Sequence, residues 1–298
     1  DKTYAHIDGG TSNPGYFTDK NAPVPYACYT PSNTTLTFYY DNQRASRTGT
    51  TYDLNTGTNF TDWHNDGTCQ DVTQVVFDPS FANARPTSTS DWFDSMTNLE
   101  SITGMNYLNT SEVTSMAWMF LGCRKLTSLD VSHFNTSKVI YMTQMFYRCI
   151  GLTSLDLSSF NTSKVIDMQS MFEESNKLRT IYVGSGWSTT AVASSTNMFY
   201  NCTSLVGGKG TTYDASNIDA AYAHIDGGPS NPGYFTAKNA SQRGDINGDG
   251  NIDVADVTLL IQVVLNSSAI DLGVADMNGD STIDVADVTL LIAYILNH

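Results

Sequence analysis

Twelve residues from Asp245 to Asp256, DINGDGNIDVAD, return 31 residues later as DMNGDSTIDVAD, from Asp276 to Asp287. Oxygens at positions 1, 3, 5, 7, 9 and 12 of such a loop can surround a hard dication, which takes six to eight oxygen ligands. In the first loop these positions hold Asp245, Asn247, Asp249, Asn251 (through its carbonyl), Asp253 and Asp256. In the second they hold Asp276, Asn278, Asp280, Thr282 (through its carbonyl), Asp284 and Asp287. Two Ca²⁺ sites are expected. At position 6, where the backbone turns sharply, the first loop has Gly250 and the second Ser281, so the first is the better formed. Residues 245–298 carry nine Asp and no Lys, Arg or Glu. Without cations these carboxylates repel, so metal binding is expected to be coupled to folding.

Each loop runs into an apolar stretch, VTLLIQVVLN or VTLLIAYILN, with helical spacing. The spacing places Val257, Leu260, Ile261, Val264 and Leu265, or Val288, Leu291, Ile292, Ile295 and Leu296, on a core face. Leu259 and Val263, or Leu290 and Tyr294, then point outward and suggest a partner. Aspartate rather than glutamate at position 12, no helix before either loop, and the 31-residue duplication together resemble a type I dockerin domain. That resemblance implies docking onto a cohesin, with recognition positions Val254-Ala255 and Val285-Ala286. Many cellulosomal dockerins carry hydroxyls there, so packing against neighbouring modules of the same protein is the alternative.

Ahead of this segment the chain is repetitive. LTSLDVSHFNTSKVIYMTQMFYRC, from Leu126, is followed by LTSLDLSSFNTSKVIDMQSMFEES, from Leu152, and Phe120, Phe146, Phe172 and Phe199 recur at gaps of 26, 26 and 27 residues. Leucines at this spacing are a leucine-rich-repeat signature. Leu129 and Val131 alternate with Ser128, Asp130 and Ser132 as in a half-buried strand. Val139, Met142, Met145, Phe146 and Cys149 recur every three or four residues, which predicts a short helical segment, with the Asn135-Thr-Ser137 hydroxyls as its cap. The Met and Phe ladder reads as core. Residues 1–22 match residues 219–240 at 18 of 22 positions, as if each closed one module of a series.

Tyr26–Tyr29 and Thr35–Tyr40, separated by a turn, predict a hairpin, and residues 41–70 read as loop. Cys123, Cys149 and Cys202 stand three residues after repeat phenylalanines, with Ser175 at the same place in the Phe172 repeat. Free, buried thiols explain all five cysteines, with a Cys28–Cys69 bridge as the alternative.

The net charge of −15 argues against nucleic acid, which needs a basic surface. No apolar run is long enough to span a membrane. The chain opens on DKTYAHIDGG without the features of a signal peptide, so any export signal is expected upstream. A glycoside hydrolase needs two carboxyl groups across a cleft. The only glutamates are Glu100, Glu112, Glu173 and Glu174, and the repeats suggest no cleft. Trp63, His64, Asp66 and Cys69 crowd one loop, but a Cys–His nucleophile there lacks a third group to orient the base. No enzymatic activity is expected.

The LTSLDLSSFNTSKVIDMQSMF repeats with the YAHIDGGPSNPGYFT tail resemble the BspA-like family of bacterial surface leucine-rich-repeat proteins. The expected fold is an α+β solenoid: a leucine-rich-repeat array with a β-hairpin N-terminal cap, followed by a small all-α dockerin-like domain. Its parts are the tail of a preceding module (1–22), the cap (23–71), the repeats (72–206), a closing segment (207–240) and the dockerin-like domain (241–298). The resemblance implies an extracellular, cell-surface adhesin that binds a host or bacterial surface protein or glycan. The alternative is a non-catalytic spacer or accessory, glycan-binding component of a cell-surface polysaccharide-degrading complex.

Overall fold

The structure is a computed structural model that describes residues 22–57, 59–238, 243–247, 252–266, 270 and 272–297. Of the expected module tail (1–22), residues 1–21 lie outside the described residues, as do residues 239–242, where the expected closing segment (207–240) gives way to the dockerin-like domain (241–298). The chain divides into two compact units, Asp1–Thr236 and Ala237–His298.

The first unit is mainly β. Strands β1 (Val24–Thr30) and β2 (Thr35–Asp41) form an antiparallel hairpin, and β3 (Thr50–Asp53) pairs with the other edge of β1. The short helix α1 (Asp62–Asn65) follows. β4 (Gln74–Phe77) then lies parallel to β2, and β5 (Ser101–Thr103) parallel to β4, which completes a five-stranded mixed sheet ordered β3-β1-β2-β4-β5. Residues 41–70, read from sequence as loop, thus hold a strand and a helix. What fixes them is tertiary: Trp63 of α1 is fully buried and meets the Phe38 ring edge-on at 5.8 Å. Phe38 also stacks on Phe77 at 4.7 Å and Trp92 at 4.9 Å, so strand, helix and first turn share one aromatic core.

Further along, β6 (Ser154–Leu157) and β7 (Thr180–Val183) are parallel and, with β8 (Phe235–Ala237), form a three-stranded sheet. The expected α+β solenoid of leucine-rich repeats is overturned here. Two sheets and few helices make up the unit, and the segments predicted to be helical are successive turns. The reason lies in the backbone. Asp91, Trp118, Gln144, Ser170 and Asn197 all have φ between 53° and 66°, and four residues further on Ser95, Gly122, Arg148, Glu174 and Asn201 are left-handed too. A left-handed residue every fourth position cannot belong to a right-handed helix. The Met and Phe side chains are nevertheless buried, because each turn lays its Met-Phe pair on the next. Phe120, Phe146, Phe172 and Phe199 stack in parallel at 5.6–5.8 Å. Phe199 then meets Tyr234 and Phe235 edge-on, which ends the column.

Without a helix there is nothing for the Asn-Thr-Ser element to cap. Asn135 Oδ1 accepts from the Ser137 amide at 3.1 Å in a local turn. Thr136 Oγ1 instead donates to the Asn161 carbonyl (3.0 Å) and accepts from the Asn161 amide (2.8 Å) one repeat later. The cysteine positions form a second ladder. The Cys123, Cys149 and Cys202 thiols donate to the carbonyls of Phe93, Phe120 and Phe172, and Ser175 Oγ donates to that of Phe146 at 2.7 Å. Serine can stand there because the position asks for a small donor. All five cysteines are buried free thiols.

The second unit contains α2 (Val254–Asn266), α3 (Leu272–Ala275) and α4 (Val285–Asn297) around Ile246, Leu260, Val274, Ala275, Val288 and Leu291. The helix faces are rotated from those expected. Asp256, Leu260 and Val263 point inward on α2, and Asp287, Val288 and Leu291 on α4. Ile261, Leu265, Ile292 and Leu296, assigned to the core from spacing, are exposed, whereas Val263, assigned outward, is buried. Asp256 and Asp287 set this rotation: each must face the loop it closes, and the side chains four positions on, Leu260 and Leu291, follow it inward.

Candidate metal centre

The second acidic loop is tied together by its own carboxylates. Asp276 Oδ1 accepts from the amides of Gly279 (2.6 Å) and Asp280 (3.2 Å), and Oδ2 from that of Ser281 (2.9 Å). Asp280 Oδ1 accepts from the Thr282 hydroxyl and amide, and these bonds hold its carboxyl below the usual carboxylate range. Asp287 Oδ1 accepts from Met277 (2.8 Å) and Asn278 (3.2 Å), and Oδ2 from Asp284 (2.9 Å). Asp284 Oδ1 accepts from the Ala286 amide and so caps α4. Ser281 has φ 67°, the left-handed turn that glycine makes without strain.

The first loop repeats what is described of this scheme. Asp256 accepts from the amides of Asn247 and Asp253, both at 2.9 Å, and Asp253 Oδ1 from that of Ala255. Asp249 and Asn251, expected as ligands, and Gly250 lie outside the described residues. Asp245, Asp256, Asp276 and Asp287 are all buried. Enclosed carboxylates in an all-oxygen set call for a hard cation, so the residues present fit calcium.

Of the expected partner positions, Val254 and Val285 are 69% and 71% exposed, and Ala255, Ala286 and Leu290 are also at the surface. Leu259 and Tyr294 are half-buried and Val263 is inside. With Ile261, Leu265, Ile292 and Leu296 added, both helices present exposed apolar side chains.

Residues 243–296 match the family model of the Dockerin type I domain. Domains of this type bind calcium and imply a protein partner. The dockerin match covers both loops and both long helices of the second unit. Residues 87–220 match the model described as Mycoplasma protein of unknown function, DUF285, which does not confirm a BspA-like leucine-rich-repeat identity. No curated protein and no solved structure matches the chain. No described helix is long and apolar enough to cross a membrane.

A second cluster, in the first unit, escaped sequence reasoning. His64 Nδ1 lies 3.5 Å from Asp91 Oδ1 and 3.3 Å from Asp94 Oδ2. Asp91 is fully buried, and burial pushes its carboxyl up to about 8. Asp66 and Cys69, grouped with His64 in sequence, serve other purposes. Asp66 Oδ2 accepts from the Tyr52 hydroxyl at 2.8 Å, and the Cys69 thiol is pushed up to about 11, first by burial and then by Asp94 and Asp91. A thiol that stays protonated is a poor nucleophile. The available signal was at position 91, where the corresponding turns carry Trp118, Gln144, Ser170 and Asn197 and this one carries an acid.

Asp226, in the closing segment, accepts from the amides of Lys209, Thr211 and Gly228 and from the Thr211 hydroxyl. Burial alone would raise its carboxyl, but these bonds outweigh burial and hold it well below the usual range. Its role is structural: it fastens the 207–211 turn to the end of the unit.

Proposed function

We propose that this chain is a non-catalytic, extracellular surface protein whose dockerin, loaded with two calcium ions, docks onto a cohesin, while the β unit is displayed as a binding module for a surface protein or glycan. The observation that carries the reading is the paired loop and helix. In each copy a buried position-12 aspartate closes an all-oxygen loop and orients a helix whose exposed apolar side chains offer a docking face. Calcium would act here by fixing that orientation, since the loop carboxylates hold the helix start only while their mutual repulsion is neutralised. The acidic surface argues against a nucleic-acid partner.

The test is calorimetric titration of the full chain against a panel of type I cohesins, in calcium and after its removal. Saturable binding in calcium is expected, and it should weaken more than tenfold without calcium or in the Asp276→Ala, Asp256→Ala double variant. Calcium-independent binding, or none to any cohesin, would count against the docking role. A glycan and protein array probed with the same chain addresses the β unit, and no hit on it would reject the adhesin reading.

A further inference from the structure

We infer that His64, Asp91 and Asp94 form a binding site for a divalent transition metal of the zinc class, which clips α1 to the first turn of the repeat region. The three ligand atoms lie within 4.8 Å of one another. Both Asp91 oxygens are accounted for: Oδ2 accepts from the Thr61 amide (2.7 Å) and hydroxyl (3.1 Å), whereas Oδ1, enclosed in the same fully buried side chain, has no hydrogen-bond partner among the described residues. His64 Nδ1 is likewise enclosed without a hydrogen bond. Asp94 Oδ1 accepts from Ser95 Oγ at 2.9 Å, and its Oδ2 is the atom facing His64.

The separations of 3.3 and 3.5 Å carry the argument. Ligands bonded to a tetrahedral zinc at roughly 2.0–2.1 Å stand about 3.3 Å apart, so each aspartate oxygen stands from His64 Nδ1 as one zinc ligand stands from another. Side by side with one enclosed, the two carboxyls can both ionise only with a positive charge between them. An imidazole nitrogen among the ligands favours a borderline transition metal over calcium, which takes oxygens. The repeat architecture does not require an acid at position 91, since the equivalent left-handed turns are built with Trp118, Gln144, Ser170 and Asn197. Phe60 stacks on the His64 ring at 4.9 Å and holds the imidazole plane.

The test uses the full chain, stripped of metal and then held in excess calcium so that the dockerin loops are filled. Zinc chloride is titrated by calorimetry, with bound metal counted by elemental analysis and the same experiment repeated with cobalt to read its ligand-field spectrum. One zinc per chain is expected in the wild type and in the Asp256→Ala, Asp287→Ala double variant, which removes the closing aspartate of each dockerin loop. Affinity should fall more than tenfold in His64→Gln and in Asp94→Asn. His64 is partly exposed, so His64→Gln should keep the wild-type circular dichroism, and zinc should raise the melting temperature of the wild type and not of this variant. Zinc binding that is absent from the wild type, unchanged in His64→Gln, or lost with the dockerin loops would overturn the assignment. The cluster would then hold a proton only.

Discussion

Asp226 shows how one enclosed carboxylate can organise a segment. Four donors reach it from two stretches of chain, and bonds to a charged acceptor are stronger than neutral ones, about 1.5–3 kcal/mol each. Its folded-state carboxyl is held below the unfolded value near 3.9, so the stability it contributes is fully present above about pH 4. That contribution is lost as the pH falls from there toward the lower folded value. Asp226→Asn is expected to cost roughly 2–3 kcal/mol at pH 7. Urea midpoints of wild type and variant, compared at pH 7 and pH 3, should differ less at pH 3 without meeting, because the folded carboxylate is still ionised there. The cysteine ladder makes a similar point: Ser175 replaces a thiol because it donates to the same kind of carbonyl.

At the scale of the element, the turn of 26 or 27 residues is held by its Met-Phe pair inside and by single hydroxyl and thiol ladders alongside. Phe146 lies between Phe120 and Phe172, nearly parallel to both, and is fully buried. Removing its ring empties a layer that neighbours on either side cannot refill. Phe146→Ala is expected to cost about 3–5 kcal/mol, read from the chemical denaturation of the first unit. A loss below about 1 kcal/mol would mean that the stacked column is not what supports the turns. The left-handed residues in each turn are tolerated because backbone bonds to the next turn hold them, such as Gln144 N to Gln169 O and Arg148 N to Glu173 O, both 2.9 Å.

For the whole molecule, two units with different sources of stability should melt differently. The first has a large apolar core centred on Phe38 and the phenylalanine column. The dockerin has a small one and four buried loop aspartates. Adding calcium to the metal-free chain is expected to raise one calorimetric transition, assigned to the dockerin, and to leave the other in place. A single transition unmoved by calcium would contradict coupling of metal and fold.

The two acidic loops were legible in the sequence because their oxygen-bearing residues are contiguous: each run of twelve carries them at a spacing that suits an oxygen cage. Hydrophobic recurrence likewise identified the buried Met, Phe and Cys positions, since burial follows side-chain chemistry. Recurrence every three or four residues could not distinguish a helix from a series of left-handed turns, because both bring such side chains to one side; φ at Gln144 and Arg148 settled that. Helix rotation in the dockerin was decided by where Asp256 and Asp287 must point. The His64, Asp91 and Asp94 cluster exists only in three dimensions, where packing of Trp63 against Phe38 carries α1 to a turn about 30 residues away.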